Sequence, residues 1–319
     1  MDINSPLDQL GILVLGFNRP LHLQSVLESL RLQDRLHWVH VWIDGTQGRG
    51  EYRGANDHSV DIANRYSVRE VRALNSHLGI EKMMLDALDE MTQRYTRVLV
   101  LEDDCFPLQG AIDDIESSLM EIESKPEVYS VYGHHFGTEP EDNLDFTRFQ
   151  GWGWAAHSAR IKTLLPELKR LFMLSEKEYL ALVASSLNSE IRDRLDRTPG
   201  RDVLGVLSRF FSWDSATAFL TARDNLVHRR TPDFTIKNTG IVAGIGQFHG
   251  NEPRLRNPPL NMITLDEAWR HYDRTTPPCD YSGQSYGLEG LDRTILDAID
   301  PRPGFFVELG AFDGATQSN

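Results

Sequence analysis

Arg97-Val98-Leu99-Val100-Leu101-Glu102-Asp103-Asp104 joins an unbroken run of Val and Leu to three consecutive carboxylates. Continuous apolar runs of this kind mark central strands of a covered, mostly parallel sheet, where ligands gather beyond the carboxyl ends of the strands. The acid triplet therefore falls where chemistry is expected. Three adjacent negative charges repel one another and need an offsetting cation. Hard divalent ions such as Mn²⁺ or Mg²⁺ favour carboxylate oxygen with phosphates as co-ligands. A solvated strand end that caps the next helix is the plainer alternative.

The flanking segments alternate between strand and helix. Ile12 to Leu15 reads as a strand, broken by Asn18-Arg19-Pro20 before Leu21 to Leu30, whose apolar residues recur at helical spacing. His37 to Ile43 alternates like a second strand ending at Asp44, and the polar, glycine-bearing Arg49 to Asp57 reads as a loop. Val68 to Leu74 is a weaker third strand, and Ile80 to Met91 a helix with Met83, Met84, Ala87, Leu88 and Met91 on one face. This alternation predicts an α/β fold with a doubly wound, mostly parallel sheet flanked by helices. The Gly-x-Gly-x-x-Gly spacing of a dinucleotide phosphate loop is absent, so phosphate needs another countercharge, which a metal on Asp104 would supply.

From Ala111 onward the pattern is less regular: a helix near Ile112 to Glu123, a short strand Val128 to Tyr132, and an acidic loop Glu139 to Asp145. Gly151-Trp152-Gly153-Trp154 follows, where glycines allow close backbone approach and the rings offer flat faces to a sugar or to the core. After a long polar helical region, Phe211-Ser212-Trp213-Asp214 begins a helix, with Asp214 placed either to cap it or to do chemistry. Lys237 to Gly250 carries four glycines, as a lid or as an ordered turn would.

The chain has 319 residues, 40% hydrophobic and 25% charged, with a formal net charge of -14. That charge argues against a nucleic-acid partner and gives an anionic membrane no reason to attract the protein. Two cysteines far apart, Cys105 and Cys279, exclude a disulfide framework and fit a cytoplasmic setting. No stretch reads as a targeting or transmembrane segment.

Taken in order, Asn18-Arg19-Pro20, a strand ending in Asp44, Glu102-Asp103-Asp104, Gly151-Trp152-Gly153-Trp154, Trp213-Asp214, Pro232-Asp233 and Gly246-Gln247-Phe248 resemble the GT-A-fold N-acetylglucosaminyltransferase I family. The resemblance covers roughly residues 9 to 250 and implies an inverting, metal-dependent glycosyltransferase using a UDP-sugar. It assigns Arg19 and Asp44 to the uridine, Glu102 and Asp103 to sugar and ribose, and Asp104 to an Mn²⁺ bridging the diphosphate. Trp154 and Gln247 join the donor-binding set, His249 is an additional candidate metal ligand, and Asp214 resembles the catalytic base. Met83 stands where the family has a uridine-contacting histidine. The membrane anchor and luminal cysteines of the family's animal members are missing, which implies a bacterial-type enzyme with a different acceptor.

The resemblance places a glycosyltransferase domain at residues 1-275. Residues 276-319 read as a linker followed by Phe305-Phe306-Val307-Glu308-Leu309-Gly310-Ala311-Phe312-Asp313-Gly314, which resembles the first strand and glycine turn of an FkbM-type methyltransferase that uses S-adenosylmethionine. A longer protein that fuses the two activities is the expectation. The alternatives are a sugar-nucleotide-binding module without catalysis and another metal-dependent nucleotide enzyme, such as a nucleotidyltransferase.

Overall fold

The computed structural model describes residues 7–135, 144–196, 212–241, 253–257 and 260–272. Its centre is an eight-stranded sheet in the order β3-β2-β1-β4-β8-β6-β9-β7. These strands are β1 (Leu7–Gly16), β2 (Val39–Ile43), β3 (Glu70–Ala73), β4 (Tyr95–Glu102), β6 (Val128–Tyr132), β7 (Asp145–Phe146), β8 (Trp154–His157) and β9 (Val227–Arg230). The pairings β1 to β2, β1 to β4, β2 to β3 and β6 to β9 are parallel, and the three others are antiparallel. The α/β expectation holds, with antiparallel β8 inserted beside β4.

Alternation along the central strands builds a core on each face. Ile12 and Val14 of β1, with Leu99 and Leu101 of β4, meet Leu23, Val26 and Leu27 of α1 (Pro20–Leu32) and Ile112 and Ile115 of α4 (Ala111–Glu121). Leu13, Leu15, Val98 and Val100 turn to the other face. There they join Met83, Met84 and Leu88 of α3 (Ile80–Arg94), Ile161 and Leu165 of α5 (Ser158–Phe172), and Phe219 of α8 (Trp213–Arg223). The helix α2 (Arg53–Arg65) falls partly within the stretch read as a loop, because Ile62 and Ala63 are the buried apolar residues of an otherwise polar segment. The region after Phe172 continues as α6 (Glu176–Ser186) and α7 (Ser189–Asp196).

A second, two-stranded sheet pairs β5 (Cys105–Pro107) with β10 (Ile236–Asn238), antiparallel, with Lys237 opposite Phe106. After α9 (Pro253–Arg256), α10 (Leu265–Arg270) closes this side: the Trp269 ring stands 5.0 Å from Phe106, and Tyr272 Oη donates to Pro107 O at 3.0 Å. No helix among the described residues is long and apolar enough to cross a membrane.

Candidate active site at the strand ends

Parallel pairing puts the sequence motifs at one edge of the sheet. Leu15 lies opposite Glu102 and Gly16 opposite Ile43, so the loops Phe17–Arg19, Asp44–Gly45 and Asp103–Asp104 emerge side by side. Antiparallel β8 begins at this edge, with Trp154 opposite both Val100 and Tyr132. The β5–β10 ribbon brings Asn238 to Gly240 against the triplet: Thr239 N donates to Asp104 O at 2.8 Å.

The guanidinium of Arg19 lies between the last two acids. Nη1 donates to Asp104 Oδ2 at 2.7 Å and Nη2 donates to Asp103 Oδ1. Burial opposes the charge of Arg19, but Asp103 and Asp104 outweigh it and hold its pKa above the ordinary value. Burial, followed by the charges of Asp104, Asp103 and Asp214 and countered by Arg19, lifts the Glu102 carboxyl well above the usual carboxylate range. Asp103 is shifted upward, by burial first, against the pull of Arg19. Charge is thus crowded here, with Arg19 the cation in contact among the described residues.

Asp44 is 3% exposed and its carboxylate accepts three backbone N–H bonds. Oδ1 accepts from Gly45 N at 2.9 Å and Leu78 N at 2.8 Å, and Oδ2 accepts from Gly79 N at 2.9 Å; His77 Nδ1 stands 2.8 Å from Oδ2 and 3.1 Å from Gly45 O. These bonds hold the turn before α3 in place. His77 in turn stands 5.2 Å from the Phe17 ring, and Tyr52 stands 5.5 Å from it, edge-on. Sequence reasoning missed this trio, since each member lies in a separate polar stretch. It also missed Asn56, whose Nδ2 donates to Phe17 O at 2.7 Å and Asp44 O at 2.8 Å, tying the ends of β1 and β2 together.

Asp214 sits in the first turn of α8. Its Oδ1 accepts from Ser212 Oγ at 2.6 Å and Ser215 N at 2.8 Å, so capping is real, but Oδ2 has no partner among the described residues. Its charge reaches Glu102 and also Glu81 at the start of α3, which burial and then Asp214 shift upward. Gly151 permits the approach: a Cβ there would lie 3.0 Å from the Trp213 ring and 3.4 Å from Asp214 Cβ. Trp154 is 1% exposed, with Tyr129 and Trp213 stacked near it at 6.5 and 6.1 Å, so its flat faces belong to the core. Trp152 is the partly exposed member of the pair. Gln247 and His249, and most of the glycine-rich stretch after Lys237, lie outside the described residues, as does the chain beyond Tyr272.

The oxygen donors suit a hard divalent ion held jointly with phosphates. A Cβ on Gly240 would lie 2.6 Å from Asp104 Oδ2 and 3.1 Å from Asn238 Oδ1, so two oxygens converge on a space that only glycine leaves open. Among the described residues, no three His, Cys, Asp or Glu side chains form a ready metal cage. One or two protein oxygens completed by substrate phosphates is the usual arrangement for Mg²⁺.

No protein-family model and no curated protein matches this chain. Among solved structures, it is similar to a mannosyltransferase from Pyrobaculum calidifontis in complex with GDP-Man and Mn²⁺, at 12% identity over 93% of this chain and 82% of that one, with TM-score 0.41. Mouse xyloside xylosyltransferase 1, in its apo form, matches at 10% identity over 70% of this chain and 85% of that one, TM-score 0.38. A cytidylyltransferase from Leptospira borgpetersenii serovar Hardjo-bovis matches at 16% identity over 60% and 70%, TM-score 0.33.

Proposed function

We propose that the chain is a GT-A glycosyltransferase: an inverting, metal-dependent enzyme that moves a hexose such as GlcNAc from a UDP-sugar to a hydroxyl of a glycan or related acceptor. The supporting observation is the convergence at one sheet edge of Asp104, Asn238 and Gly240, able to share a divalent ion with a diphosphate, and of Asp214, whose Oδ2 has no partner among the described residues and whose charge reaches Glu102. Mn²⁺, or Mg²⁺, held by Asp104 would offset charge on the leaving diphosphate when bound.

In a single displacement, the acceptor hydroxyl attacks the anomeric carbon while the nucleoside diphosphate leaves from the opposite face. Asp214 Oδ2 takes the hydroxyl proton, a role typically contributing ~10²- to 10⁴-fold. Glu102 and Asp103 face sugar and ribose; Arg19 and the Asp44 loop face the nucleotide, with Gln247 completing donor contacts and His249 as an additional metal ligand. Trp154 serves this site by supporting the wall that carries Asp214. Residues 276-319, with the segment resembling an FkbM-type methyltransferase, add nothing to transfer, so deleting 280 to 319 should leave it intact.

Incubation with a panel of UDP-hexoses, Mn²⁺ and glycan acceptors, with product configuration read by NMR, tests the proposal. Release of UDP with an inverted anomeric centre is expected. Nucleotidyl transfer, with pyrophosphate released from a nucleoside triphosphate, would overturn it.

A further inference from the structure

We propose that Arg19 is the resident cation of the Asp103–Asp104 pair, and that the donor's diphosphate draws it off so that the metal enters only together with the nucleotide. The inference rests on Asp104 as metal ligand. Its structural basis is a conflict over one atom. Asp104 Oδ2, which converges with Asn238 Oδ1 on Gly240, is also the oxygen that accepts from Arg19 Nη1 at 2.7 Å. The same guanidinium holds Asp103 through Nη2, so the fork spans both carboxylates and cannot leave one without straining the other.

The surroundings make that conflict expensive to resolve by metal alone. The side chains of Arg19, Asp103 and Asp104 are 16%, 4% and 12% exposed. A divalent ion that took Asp104 Oδ2 would leave a guanidinium in a nearly dry site with half its partners gone, and an unpaired buried charge is strongly unfavourable. A diphosphate supplies what is missing: oxygens matched to the guanidinium fork, and ligands that complete the metal's shell.

Arg19 lies on the short link between β1 and α1, immediately before Pro20, where its backbone carbonyl accepts from Leu23 N at 3.0 Å. The backbone is therefore anchored, and the exchange is a side-chain movement from acid pair to phosphate. Coupling of this kind is reciprocal: if nucleotide tightens metal binding by a given factor, metal tightens nucleotide binding by the same factor. Arg19 is then a positioning residue that prevents metal from occupying the site without donor.

The test is Mn²⁺ binding followed by electron paramagnetic resonance, without nucleotide and with UDP and GDP in parallel, for the full chain and its variants. In the wild type, nucleotide should tighten Mn²⁺ binding by ~10- to 100-fold, within the usual range of coupling between sites. Arg19→Gln should bind Mn²⁺ alone at least ~10-fold more tightly than wild type and lose most of the nucleotide effect. Arg19→Lys keeps the charge without the fork; it separates the latch from general electrostatics, carries the test if the glutamine variant does not fold, and should fall between the two.

Nucleotide-free Mn²⁺ affinity that is unchanged in folded Arg19→Gln, or in Arg19→Lys where the glutamine variant does not fold, overturns the latch. If wild type still binds Mn²⁺ with nucleotide in an Asp104-dependent manner, the assignment of Asp104 survives that loss. Absence of Mn²⁺ binding to any of the proteins with either nucleotide overturns both.

Discussion

Arg19 Nη1 lies 2.7 Å from Asp104 Oδ2, although 85 residues separate the two in sequence. The parallel pairing of β1 with β4 produces that proximity, by ending both strands at one level with Leu15 opposite Glu102. Removing one partner of a buried ion pair costs about 3–5 kcal/mol, because the other charge is left unpaired. Arg19→Gln should therefore lower the unfolding free energy in urea by that order in metal-free buffer. A loss below about 0.5 kcal/mol, the size of an ordinary surface substitution, would mean that Arg19 is not a structural partner of the acids.

Asn56 is the strap between β1 and β2. Asn56→Ala would leave the buried carbonyl of Asp44 and the part-buried carbonyl of Phe17 without their donor, at about 1–3 kcal/mol. Because these two carbonyls set the loops that face the nucleotide, donor affinity should weaken as well. Denaturant melts and calorimetry with UDP read the two effects separately; a variant weakened in neither would remove Asn56 from the site.

Asp214 and Ser212 divide capping from chemistry. Ser212 accepts from Ser215 N at 3.4 Å, and its loss in Ser212→Ala should cost ~1 kcal/mol of stability with turnover kept within a few-fold. Asp214→Asn retains a capping oxygen but not the base, so transfer should fall by at least ~10²-fold while the melting temperature stays near that of wild type. Equal turnover in Asp214→Asn would make the residue a cap alone.

His228 is fully buried between Ser130 Oγ at 2.8 Å and Thr221 Oγ1 at 3.2 Å, and burial lowers its pKa from 6.5 to about 3. His40, 2.7 Å from Tyr95 Oη, is lowered by burial and by Arg94 to about 4, against the opposing pull of Glu70. The unfolded chain takes up protons near pH 6.5 and the folded protein does not, so this stability is fully present above 6.5 and drains away as pH falls toward these values. Each histidine contributes up to ~1.4 kcal/mol per pH unit across that interval. His228→Gln should flatten the dependence of stability on pH between pH 7 and pH 4.5 by about one proton. An unchanged slope would show that His228 is protonated in the fold.

The central strands were legible because their apolar runs are continuous, and Val98 to Leu101 led directly to the acids. Strands β5, β8, β9 and β10 were not, since stretches of three or four residues such as Cys105–Pro107 and Trp154–His157 carry no period of their own. What makes them strands is the neighbour, as when Ala155 pairs with Leu99 on one side and Val131 on the other. The acid triplet announced a cation, and the structure supplies Arg19 in contact with it. Asn56 and Asn238 were invisible for a plainer reason: polar residues in polar stretches acquire a role only when distant backbone arrives beside them.

Calorimetric titration of UDP into the protein, with and without Mn²⁺ and with Asp104→Asn in parallel, tests the central claim most directly. The expected result is tight binding only when Mn²⁺ is present, lost in Asp104→Asn although that variant unfolds at a similar temperature. UDP affinity that is independent of Mn²⁺, or that survives intact in Asp104→Asn, would contradict a metal-bridged diphosphate at this sheet edge.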